Sequence, residues 1–232
     1  MGMLLNLNGT VQYGTEWYST DRYRRSQGMN TNPRVEATRA RILNAALDAF
    51  VLDGYTGAST DVIAAAAAAS KQTVYKYFGD KEGLFRALIA DMVDRVHDSI
   101  VRLDIDAYDD GEAVVRALAR LLTDSVLDRR VQRFRRLVIA EAARFPDIGR
   151  AYYEGAFELT IGHMADLIAS ASERGWLRVD EPRIAANQLA GLLLWIPSNR
   201  IMMTGRFDAI TEAEVESGLE SGVRVFLAAY RD

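Results

Sequence analysis

The chain has no cysteine in 232 residues, so disulfides and cysteine-based zinc sites are excluded. Histidine is nearly absent too: His97 and His163 stand far apart, each reads as a surface or core residue, and no metal site is expected. No apolar run approaches the roughly 18 residues that cross a bilayer, and Met1 to Gln12 lacks the positive start and apolar core of a signal peptide. The cytoplasm is therefore the expected location. Catalytic signatures are missing as well: there is no Gly-rich phosphate loop, no G-x-S-x-G elbow and no paired-histidine motif, and no cofactor is expected. What remains is 49% hydrophobic and 26% charged, ordinary for a globular chain of one or two domains.

Net charge is −4, but its sign divides along the chain. Residues 1–81 carry nine Lys and Arg against seven Asp and Glu, and the remainder carries 19 against 25. A mildly cationic amino-terminal part on an acidic body suits a protein that turns one face to phosphates. Residues 1–33, rich in Gly, Asn, Thr, Ser and Tyr without periodicity, read as a disordered extension. Either it is a basic arm, with Arg22, Arg24, Arg25 and Arg34 reaching along a minor groove, or it is a non-functional extension ahead of Met29.

Chemistry concentrates between Ser59 and Phe85, STDVIAAAAAASKQTVYKYFGDKEGLF. Thr60 is placed to cap a first short helix with Val62 and Ile63 facing inward, and Ser70 to cap a second over Lys71 to Phe78. In the second, Val74 and Phe78 share the inner face, while Gln72, Thr73, Lys76 and Tyr77 fall outside. A helix with an apolar back and a polar, cationic front suits a DNA major groove.

This segment resembles the helix-turn-helix of the TetR family of transcriptional regulators. The resemblance runs from TRARILNAALDAFVLD at Thr38 to Asp53, through Gly54 and Tyr55 and the S-K-x-T-[VL]-Y-x-Y-F run at Ser70 to Phe78, to D-K-E-x-L-F at Asp80 to Phe85. It implies an all-α chain with a helix-turn-helix lobe at 34–82, joined by a long helix to a ligand-sensing and dimerisation lobe at 83–232. Gln72, Thr73 and Lys76 are the candidates for base edges, and Thr60, Ser70, Lys71, Tyr75, Tyr77 and Lys81 for phosphates of a double-stranded operator. One departure is visible. The family usually has Gly where this chain has Ala68 and a larger aliphatic residue where it has Ala69. Either Ala68 adopts a strained left-handed turn, or the alanine run extends the first helix.

The rest reads as helices near 80–100, 112–128, 130–145, 147–174, 181–204 and 211–230, punctuated at Pro146, Gly175 and Gly205. Because about fifty residues of helix-turn-helix bury little, the long helix from Asp80, striped by Leu84, Leu88, Met92, Val96 and Ile100, is expected to pack on both lobes. RFRRLVIAEAARFPDIGRAYYE and ERGWLRVDEPRIAANQLAGLL are similar to the carboxy-terminal region of the AefR-like branch, implying an effector pocket and a homodimer. Phe134, Tyr152, Tyr153, Phe157, Met164, Trp176 and Trp195 are candidate pocket residues for an apolar or aromatic effector, with Arg135, Glu141 and Arg144 for its polar group. Pro197 is expected to kink its helix and open space beside Trp195. The last two helices present wide apolar faces, Leu189 and Leu192 on one and Val215, Leu219, Val223 and Phe226 on the other, beside small residues Ala185, Ala186, Gly191, Gly218 and Gly222. They are the expected dimer interface. The alternative function is an all-helical enzyme or lipid-binding module that happens to contain the helix-turn-helix shape.

Overall fold

The computed structural model describes residues 33–100 and 103–231, with the backbone alone for 96–100. The extension with Arg22, Arg24 and Arg25 and the side chains of Val96, His97 and Ile100 lie outside the described residues. Every regular element among those described is helical.

Helix α1 (Pro33–Gly57) opens on a proline, whose missing N–H costs nothing at that position. It buries Ile42, Leu43, Ala46, Leu47 and Phe50, the expected stripe, and leaves helical geometry at Gly54 (φ +68°). Helix α2 (Thr60–Ala66) is capped by Ser59, not Thr60: the Ser59 hydroxyl accepts from Asp61 N–H at 3.2 Å. Its inward face is Ile63, Ala64 and Ala67, at i, i+1 and i+4, and this leaves Val62 59% exposed instead of inward. Helix α3 (Lys71–Phe78) is capped by Ser70 as expected, and Val74 is fully buried.

Between α2 and α3 the chain turns at Ala68, whose φ of +49° is left-handed. Ala69 N–H donates to the Ala64 carbonyl at 2.9 Å and Ala68 N–H to the Ala65 carbonyl at 3.1 Å. This pair of bonds closes a Schellman motif. The strained-turn alternative is the one observed, and the alanine run does not carry α2 past Ala66.

Helix α4 (Lys81–Ile100) starts where an Asp80 carboxylate oxygen accepts from Gly83 N–H at 2.7 Å. Its buried residues Leu84, Phe85, Leu88, Ile89, Met92 and Val93 follow the expected stripe and flanks. Beyond it come α5 (Gly111–Leu127), α6 (Arg129–Glu141) and α7 (Pro146–Tyr152). A π turn (Tyr153–Glu158) then leads into α8 (Leu159–Glu173), followed by α9 (Pro182–Thr204) and α10 (Glu212–Tyr230). The single helix expected over 147–174 is therefore interrupted. Gly155 sits in the π turn where a Cβ would come within 2.6 Å of Val93 Cγ1, so α4 presses directly on this backbone. Helix α9 runs unbroken through Pro197: the bond to the Leu193 carbonyl is lost, yet packing on α5, α8 and α10 keeps the helix whole. Trp195 is 70% exposed on its outer surface, with no pocket opened by a kink.

Two apolar cores result. One joins α1–α4 to Phe134, Leu137 and Val138 of α6, to Phe145 just before α7 and to Ile148 of α7; the Phe145 ring stands 4.7 Å from Tyr55 and 5.9 Å from Phe85. The other fills the space among α5, α8, α9 and α10. The helix-turn-helix thus shares its core with α6 and α7, and they hold it in place from behind.

Candidate nucleic-acid interface

Helix α3 is fixed at both ends and along its back, which is what lets its front be exposed. At its start the Ser70 hydroxyl accepts from Thr73 N–H at 3.0 Å and lies 2.8 Å from the Thr73 hydroxyl. At its end, Gly83 lets α4 approach closely, since a Cβ there would fall 2.0 Å from the Phe78 carbonyl oxygen. The Thr60 and Tyr75 hydroxyls pair at 3.2 Å, tying the start of α2 to the middle of α3.

Gln72 and Lys76, one turn apart, are exposed with no partner among the described residues. They are the side chains free to extend from the outer face. Thr73 is half-buried and engaged with Ser70, and Tyr77 is half-buried beside Phe78, ring centroids 6.1 Å apart. Lys71 is exposed and paired with Asp61 at 2.9 Å. That hydrogen bond to Asp61 raises the Lys71 pKa above the usual lysine value. Lys81, expected on phosphates, donates to the Thr56 carbonyl at 3.1 Å and lies 5.0 Å from the Tyr55 ring centre. A cation is unfavourable at the start of α4, and its contact with a carbonyl at the end of α1 offsets that.

Behind this surface α6 and α7 form a polar joint with it. A Glu141 carboxylate oxygen accepts from Tyr55 N–H at 3.2 Å, beside the left-handed Gly54. Arg144 donates to the Thr56 hydroxyl at 2.9 Å and lies 5.1 Å from the Tyr55 ring centre. Arg86 of α4 bridges Glu82 and Asp147 of α7. Its hydrogen bond holds the Asp147 carboxyl below the usual carboxylate range. Glu141 and Arg144, expected to meet an effector, are thus used to seat the helix-turn-helix.

The expected pocket residues scatter. Phe134 and Tyr152 meet edge to face at 5.4 Å, and burial pushes the Tyr152 hydroxyl up to about 12, with Arg135 acting the other way. Met164 belongs to the other core, Trp176 lies under the Arg174 guanidinium at 5.0 Å, and Phe157 is exposed, stacked on Tyr153 at 5.4 Å. The expected dimer residues divide as well. Leu189, Leu219, Val223 and Phe226 are buried in the subunit's own core and cannot face a partner. Leu192 is 44% exposed, and Val215 lines a cleft of about 540 Å³ with Arg120, Asp124 and Phe207. Gly222 abuts Leu193, where a Cβ would meet Cδ2 at 2.9 Å, whereas Gly191 and Gly218 face open space.

Sequence reading missed Ser59, Gly83, Arg86 and Asp147. Ser59 and Gly83 were visible as a second cap candidate and as the glycine inside D-K-E-x-L-F; the partnership of Arg86 with Asp147 spans 61 positions and leaves no local signal.

Residues 42–88 match the family model for bacterial regulatory proteins of the tetR family, and residues 113–232 match that for the carboxy-terminal domain of AefR-like transcriptional repressors. The chain is similar to a solved TetR-family regulator from Mesorhizobium loti MAFF303099, with 36% identity, TM-score 0.77, and 87% of this chain and 100% of that one covered. It is also similar to the flavonoid-responsive regulator FrrA, with 30% identity, TM-score 0.65, and 84% and 97% covered. A curated relative, the repressor SCO4008 of Streptomyces coelicolor, is 48% identical over 54 residues, and this chain spans only 28% of that relative's length. With a family model matching more than half of its length and a helix-turn-helix built on α2 and α3, the chain belongs to the TetR family of bacterial transcriptional regulators.

Proposed function

We propose that two copies of this chain form a repressor that holds a near-palindromic operator and releases it when a small effector binds inside the helical lobe. The observation that carries the reading is the exposed, unpartnered pair Gln72 and Lys76 on a helix otherwise fixed by Ser70, Tyr75 and the close approach at Gly83. Gln72 reads a base edge in the major groove, Lys76 adds cationic attraction, and Ser70, Thr60 and Tyr75 contribute hydroxyls to the flanking phosphates. Each subunit reads one half-site, the two about 34 Å apart along the duplex.

The dimer face we assign lies on the outer side of α9 and α10. Ile184, Leu192, Trp195 and Ile196 recur at helical spacing and are exposed, as is Val225 on α10, with Gly191 and Gly218 open beside them. FrrA is by name flavonoid-responsive, and an aromatic effector is the corresponding reading for this chain. Effector binding reaches the operator through α6, which contacts the interior at Gln132 and Arg135 and the helix-turn-helix at Glu141.

A gel-shift titration with the DNA upstream of this gene tests the reading. Gln72→Ala should cost roughly 1–3 kcal/mol on the operator and relax base preference, with non-specific binding unchanged. Equal loss on all sequences would remove Gln72 from base reading.

A further inference from the structure

Interior charge is unevenly matched on α6. Arg135 is half-buried, and its Nη1 donates to the Ser198 hydroxyl of α9 at 2.8 Å. No carboxylate pairs with it among the described residues, whereas Arg116, Arg120, Arg174, Arg183, Arg200 and Arg231 elsewhere in this lobe are each matched by Asp or Glu. One turn earlier, Gln132 is fully buried. Its Nε2 donates to the Val126 carbonyl at 2.6 Å and approaches the same Ser198 oxygen at 3.4 Å. That carbonyl contact fixes the orientation of the amide, because the flipped form would set two oxygens against each other. The Gln132 Oε1 is then a buried acceptor without a donor among the described residues. An unfilled buried acceptor is costly, and native structures keep few of them.

Two unmet demands therefore lie on either side of one hydroxyl: a guanidinium lacking an anion and an amide oxygen lacking a donor. Arg135 acts electrostatically on Tyr152, whose ring packs on the fully buried Phe134 of the same helix. The π turn that follows Tyr152 presses on Val93 of α4, the helix that follows α3.

Resting on the regulator reading above, we propose that the effector is a small organic anion carrying a hydrogen-bond donor, a hydroxy- or amino-substituted carboxylate, with its carboxylate on Arg135 and its donor on Gln132 Oε1. Ser198, which already accepts from both side chains, holds the two groups at a fixed separation. A neutral hydrocarbon or ester would leave both demands unmet, which disfavours it relative to the acid.

Calorimetry on the full chain, without DNA, tests this with a panel of the three hydroxybenzoates, 4-aminobenzoate, benzoate and 4-hydroxybenzamide. At least one hydroxy- or amino-acid should bind at least tenfold more tightly than both benzoate and the neutral amide. Arg135→Gln, which keeps donors but removes the charge, should abolish the preference for acid over amide. Gln132→Leu should abolish the preference for the substituted acid over benzoate while sparing that for charge. Binding indifferent to charge, no binding by any acid, or preferences unchanged in both variants would overturn the proposal. Gel shift on the same samples separates the two readings. An operator bound without anion binding sinks the anion site alone, whereas anion binding that leaves DNA affinity unchanged sinks the effector role and keeps the site.

Discussion

Replacing Ala68 by glycine should stabilise the protein, against the general rule that glycine weakens a helical segment. Ala68 occupies a left-handed conformation, φ +49°, as the residue that closes the Schellman motif after α2. An L-residue with a Cβ pays roughly 1–2 kcal/mol there. Glycine removes that cost and gives back roughly 0.5–1 kcal/mol through the greater freedom of its unfolded chain. Ala68 is exposed, so little packing is lost with its methyl group. The net gain is about 0.5–1 kcal/mol, or a rise in Tm of about 1–4 °C for a chain of this size. Differential scanning calorimetry of both proteins at one fixed concentration measures it; the concentration must match because an associating protein melts higher when more concentrated. Ala68→Val, with a branched side chain in the same conformation, should melt lower than wild type. A fall in Tm for Ala68→Gly would refute the reasoning and mean that the alanine run continues α2 into a different presentation of Gln72.

Three further outcomes are expected. Gly83→Ala would force a Cβ to 2.0 Å from the Phe78 carbonyl, so operator affinity should drop at least tenfold in anisotropy titrations, through displacement of α3 rather than loss of a contact; unchanged affinity would mean that α4 yields without moving it. Trp195→Glu with Ile196→Glu should give monomers in sedimentation velocity while Leu189 and Phe226 keep each subunit folded, and a persisting dimer would place the interface elsewhere. Asp147→Asn should cost under about 1 kcal/mol at neutral pH, since the Arg86 pair is largely solvated. Because Asp147 has a folded pKa below its ordinary 3.8, that contribution is present above this value and is lost as pH falls through the lowered one; denaturant melts of the two proteins should therefore converge in acid, and a constant difference would disprove the ionic origin.

The sequence by itself determined the elements and their order. Caps at Ser70 and Asp80, glycines at the turns 54, 79, 175 and 205, and the apolar spacing of α1 and α4 are local signals, each expressed within one or two helical turns. The family motif from Thr38 to Phe85 likewise lies in one contiguous stretch, so the helix-turn-helix and its outward Gln72 and Lys76 were legible. Tertiary structure alone decided which apolar faces are used up inside the subunit. Leu189, Leu219, Val223 and Phe226 look the same in sequence as Leu192 and Trp195, and only the packing of α5 and α8 against them separates core from outer face. It also turned Glu141, Arg144 and Lys81 from ligand and phosphate candidates into contacts that seat the helix-turn-helix, through partners 25 to 88 positions away. The unmet pair Gln132 and Arg135 was equally invisible, because whether a polar group lacks a partner depends on everything that folds around it, and periodicity along one helix carries no record of that.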